Sequence, residues 1–70
     1  MSEIVFLVEE DPEGGYSARA LDESIFTEGG TEAELKSNVK DALRCHFDDE
    51  SEIPPVIRLH FVRDQIISYA

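Results

Sequence analysis

Seventy residues with sixteen acidic and six basic side chains carry a formal charge of −10, a balance that repels phosphate backbones and argues against direct nucleic-acid binding. A chain of this length makes one small domain and buries only roughly 60% of the surface its unfolded form exposes, so self-association is expected to help stabilise it. A hydrophobic fraction of 41%, set in periodic runs, argues against global disorder despite the charge, and the longest apolar run, residues 4–8, is far below the roughly 20 needed for a membrane-spanning helix.

The excess of acid has two readings, attraction of a basic partner and plain solubility, and charge alone does not separate them. Cys45 is the single cysteine and has no intrachain partner. With no charged-then-apolar leader at its start, the chain is expected in the cytoplasm.

In chain order, Ile4-Val5-Phe6-Leu7-Val8 is continuous, β-branched and aromatic, which predicts a central strand covered on both faces. Asp11-Pro12-Glu13-Gly14 supplies proline for the second position of a type I turn and glycine for the positive φ that follows. It should return the chain into an antiparallel partner over residues 16–20. Leu21-Asp22-Glu23 predicts a second reversal and Ser24-Ile25-Phe26-Thr27 a third strand, completing an antiparallel meander.

Gly29-Gly30 releases that strand, and Thr31 with Glu34 predicts a helix start closed by a capping box, each side chain satisfying the other residue's backbone N–H. Leu35, Val39, Ala42, Leu43 and Phe47 then recur at helical spacing, leaving Lys36, Lys40, Asp41 and Arg44 in water. Acid at residues 48–50 opposes the helix C-terminal dipole and Pro54-Pro55 cannot continue the helix, so it should end near residues 46–48, with a loop over residues 51–55. Residues 56–62 alternate, Ile57, Leu59 and Phe61 on one side and Val56, Arg58, His60 and Val62 on the other, as a fourth strand. Ile66-Ile67-Ser68-Tyr69 reads either as a fifth strand after a turn at Arg63-Asp64 or as the far half of one long, bent edge strand.

A strand on each side of a helix favours a crossover that leaves the two strands parallel. The expected fold is α+β in the order βββαβ, a single domain over residues 1–70 with one helix on one sheet face. A helix of about 15 residues covers such a face only in part and leaves the other bare. Apolar side chains of the first and fourth strands would show there, so the sheet is expected to be covered by a second copy or another protein.

The short apolar strand, Asp11-Pro12-Glu13-Gly14-Gly15-Tyr16, an alanine-containing second strand, Thr27-Glu28-Gly29-Gly30-Thr31-Glu32-Ala33 and the helix over residues 38–42 together resemble the HicB family of bacterial antitoxins, over about the first 45 residues. The resemblance implies a partial RNase H-like fold without nuclease activity, self-association, and direct binding of a small basic RNA-cleaving toxin of the HicA type. Two departures stand out. Leu21-Asp22-Glu23-Ser24 replaces the proline-bearing loop common in that family, and residues after the fourth strand do not supply the C-terminal DNA-binding segment most members carry. Operator binding is therefore not implied.

No catalytic constellation appears. An RNase H-type nuclease needs carboxylates converging on two divalent metals, whereas the first strand offers Val5-Phe6-Leu7 and its acids gather at a turn. Cys45, His46 and His60 are the only soft ligands, and neighbours on a helix diverge by about 100°, which suits structural roles better than zinc. Gly14-Gly15 and Gly29-Gly30 lack the spacing of phosphate loops, and residues 48–52 lack the glycine and spaced acids of a calcium loop. No enzyme, cofactor or metal is expected.

The expected role is protein binding. Glu9, Glu10, Asp11 and Glu13 at the hairpin, with the acids of residues 48–52, would steer a basic partner, and Arg58, His60 and Val62 on the outward face of the fourth strand would complete the contact surface. The competing role is an orphan homo-oligomeric structural or regulatory protein, and an enzyme survives only if a pocket forms between protomers.

Overall fold

The computed structural model describes residues 2–69. Strands β1 (Glu3–Glu10), β2 (Tyr16–Ala20) and β3 (Phe26–Gly29) precede helix α1 (Glu32–His46), a 3-10 turn at Glu50–Glu52 and strand β4 (Val56–Val62). The sheet runs β3-β2-β1-β4. The first three strands pair antiparallel and β4 lies parallel to β1, so α1 is the crossover. This is the expected α+β, βββαβ arrangement.

The hairpin between β1 and β2 closes as its residue types dictate. Gly14 N–H donates to the Asp11 carbonyl at 2.9 Å, Asp11 N–H to the Gly15 carbonyl at 2.9 Å, and Glu13 N–H to Asp11 Oδ1 at 2.9 Å. Gly14 and Gly15 take φ of 102° and 92°, a region costly for any residue with a Cβ. At the next reversal all four residues 21–24 are spent on the bend, and Ala20 N–H meets the Ile25 carbonyl at 3.0 Å across its mouth. β3 therefore starts two residues later than the pattern suggests and runs on to Gly29.

Helix α1 begins where Thr31 Oγ1 accepts the Glu34 N–H at 3.1 Å. The other half of the expected box differs, because Glu34 Oε1 reaches past Thr31 to the Gly30 N–H at 3.2 Å. A reciprocal box instead caps the 3-10 turn between Asp49 and Glu52, inside the stretch expected to be plain loop. Leu35, Val39 and Leu43 are buried against Ile4, Phe6, Val8, Ala18 and Ala20, with Ala42 and Phe47 at the margin. Lys36, Lys40, Asp41 and Arg44 stay exposed as expected.

β1 is interior in the sheet but covered on one face only. Its register sets Ile4, Phe6 and Val8 beside Ile57, Leu59 and Phe61 on the helix side, and Glu3, Val5, Leu7 and Glu9 beside Val56, Arg58, His60 and Val62 on the open side. The open face is mixed: Arg19, Ser17 and Glu28 also lie on it by register, with the exposed Phe26 beside Arg19. Neither a fifth strand nor a bent continuation of β4 forms. The pairing stops at Val62, and residues 63–69 run on without turn, bend or partner. A sheet and helix of these lengths span no more than about 27 Å, so the 54 Å long axis of the molecule reflects this projecting segment.

Candidate protein-binding surface

The topology gathers acid at one end. β1 ends at the hairpin, and α1 begins at the same end because Gly29 hands the chain directly to it, so Glu9, Glu10, Asp11 and Glu13 lie near Glu28, Glu32 and Glu34. Glu9 pairs with Ser17 on one side and Val62 on the other. An open cleft of about 580 Å³ forms where the hairpin meets the end of β4, with Glu9, Glu10, Asp11, Val62, Arg63 and Ile66 among its walls. Four of the seven sequence-predicted contact residues thus come together: Glu9, Glu10, Asp11 and Val62. Glu13 stands exposed at the adjoining hairpin tip, while the Asp11 carboxylate is partly engaged in holding the turn.

The other residues lie apart. Arg58 sits toward the far end of β4 and is committed to Glu3, its Nε and Nη2 donating to Oε1 and Oε2 at 2.9 Å each. The hydrogen bond from Arg58 holds the Glu3 carboxyl below its ordinary range, outweighing an opposing desolvation effect with lesser help from the guanidinium charge, and the same bond raises Arg58. His60 shares a row with Leu7 on the open face, exposed. The acids of residues 48–52 occupy the opposite end of α1, roughly 22 Å away along the helix. There Asp49 works locally: the Ser51 N–H donates to its Oδ1 at 3.0 Å and lowers its carboxyl. The two acidic stretches form two separate patches.

Cys45 is exposed near the end of α1, His46 Nε2 lies 2.8 Å from Glu23 Oε1 in the β2–β3 bend, and His60 is across the sheet. These three do not converge, and among the described residues no three His, Cys, Asp or Glu side chains are placed to share a metal ion.

Three features escape a reading by sequence alone. A Cβ on Gly29 would stand 2.5 Å from the Leu35 backbone nitrogen, so this glycine is what lets β3 and α1 touch. Asn38 Nδ2 donates to the Glu28 carbonyl at 2.7 Å and ties the helix to the β3 edge. Tyr16 and Phe61, from β2 and β4, meet edge to face at 6.0 Å beside the acidic end. Gly29 could have been suspected from its place between strand and helix, whereas the other two depend on register.

The fold and surface define a small α+β domain with one sheet face open, an unpaired β4 edge and a strongly acidic hairpin end. No protein-family model matches the chain, and no solved structure matches it. It is 42% identical over 66 residues to a UPF0150 protein of Thermotoga maritima, spanning 94% of this chain and 91% of that one. It is 56% identical over 46 residues to a UPF0150 protein of Archaeoglobus fulgidus, spanning 66% of this chain and 68% of that one. The chain belongs to the UPF0150 family. No helix among the described residues is long and apolar enough to cross a membrane.

Proposed function

We propose that this chain is a protein-binding module of the HicB antitoxin type, which neutralises a small basic RNA-cleaving toxin by direct contact. The observation that carries the reading is the convergence of Glu9, Glu10, Asp11 and Val62 on one cleft beside Glu13. Exposed carboxylates at one end of a chain with charge −10 attract a basic partner from a distance. Val62 and the neighbouring Phe61 then offer apolar surface that must lose water on contact. Self-association and a cytoplasmic location belong to the same reading.

Rim charges act mainly on the rate of encounter. Replacing Glu9, Glu10 and Glu13 together by lysine should therefore slow association with a purified HicA-type toxin by on the order of tenfold at low salt and flatten its salt dependence. The circular dichroism spectrum should be unchanged, because none of these side chains contributes to the buried core. An association rate and salt dependence equal to those of the parent protein would overturn the acidic-hairpin reading. The second reading, an orphan homo-oligomer without a toxin, is favoured by one specific observation, the unpaired edge of β4 with exposed apolar residues beyond it.

A further inference from the structure

We infer that residues 63–69 of one copy add as a strand to the free edge of β4 in a second copy, and that the exchange is reciprocal. The segment is built for a surface that its own chain does not supply. Ile66, Ile67 and Tyr69 expose 98%, 89% and 106% of their surface, far more than any other large apolar side chain among the described residues. It cannot fold back on its own strand as a tight hairpin, because Arg63-Asp64 offers neither glycine nor asparagine, and no described non-glycine residue adopts positive φ.

The acceptor is equally specific. β3, at one edge of the sheet, has only four residues, whereas β4 at the other edge has seven and carries no proline, lysine or bulge to discourage pairing. Beside β4 on the helix side lies an open groove of about 410 Å³ between Lys36 and Val39 of α1 and Ile57, Leu59 and Phe61 of the strand. Extended, residues 63–69 reach roughly 23 Å, far enough to lie along the seven residues of β4.

Side-chain alternation makes the fit concrete. Once paired as a continuation of β4, the segment would place Gln65, Ile67 and Tyr69 after Phe61 on the helix side and Ile66 after Val62 on the open side. Antiparallel pairing about a two-fold axis near Arg63 sets Ile67 beside Leu59 and Tyr69 beside Ile57 of the other copy, over the groove. Ile66 falls beside His60. The two sheets join into one of eight strands before the added segments are counted as extensions of β4, and a two-fold pairing uses the same surface twice.

Analytical ultracentrifugation of the whole chain, with no other protein present, tests this. The expected mass is twice 7.9 kDa at micromolar concentration, and the double variant Ile67→Asp, Tyr69→Asp should sediment at 7.9 kDa with the helical circular dichroism band of α1 retained, since both side chains are exposed on the chain that carries them. In hydrogen exchange the outward-pointing amides of β4 should be protected in the parent and open in the variant. A monomeric parent, or a variant that keeps the parent's mass or its β4 protection, overturns the exchange. Such a failure would remove the self-association but leave the toxin contact standing, because no toxin enters the measurement.

Discussion

Arg58 shows how a residue's neighbours decide whether it is available for function. On the outward face of β4 it looks like a contact residue, yet both arms of its guanidinium are held by Glu3, the only bidentate side-chain pair among the described residues. The pair lies in water and is screened, so its stabilising effect should be small and pH-dependent. The Glu3 carboxyl is lowered in the folded state, so between its folded value and its ordinary value of about 4.3 the unfolded chain binds more protons. The coupling is then complete above about pH 4.3 and is lost as pH falls through the folded value. A double-mutant cycle of Glu3→Gln and Arg58→Gln, followed by urea denaturation, should show favourable coupling at pH 7 that weakens as pH falls below about 4. Coupling that does not weaken as the carboxyl is titrated would mean that the two side chains interact through packing rather than charge.

The elements differ in how far their own residues specify them. The hairpin and the helix were legible because each is fixed by local chemistry: glycine where φ must be positive, threonine at a helix start, leucine and valine at helical spacing. The same locality predicts that Thr31→Ala, which removes the acceptor for the Glu34 N–H, lowers stability by about 1 kcal/mol. An unchanged denaturation midpoint would show that Glu34, bonded back to Gly30, holds the helix start unaided. What the sequence left open depends on partners distant along the chain. The start of β3 is set by the Ala20 to Ile25 bond, the hold of Asn38 on Glu28 requires β3 and α1 to be already side by side, and Ile66-Ile67-Ser68-Tyr69 has strand composition but no strand of its own chain to pair with. The candidate surface divides likewise. Its hairpin acids are contiguous and could be read directly, while Val62 joins them only through the parallel register that pairs it with Glu9.

At the scale of the whole molecule, the charge of −10 acts with opposite sign on the two associations inferred for this chain. Two copies meeting at β4 bring together two equally negative bodies, so long-range electrostatics opposes the dimer and apolar contact must overcome it. A basic toxin meeting the hairpin end is drawn in by that same field. The Debye length falls from about 30 Å at 0.01 M salt to about 10 Å at 0.1 M, a change comparable to the dimensions of the domain. Adding sodium chloride across this range should therefore tighten self-association in ultracentrifugation while it slows toxin binding in stopped-flow mixing. The hairpin variant with lysine at residues 9, 10 and 13 carries three reversed charges, so its net charge moves by six units from −10 to −4. Its dimer should be less sensitive to salt than the parent's. Self-association that weakens with salt would require attractive ion pairs across the β4 edge, and would replace the apolar joint of Ile67 and Tyr69 with a polar one.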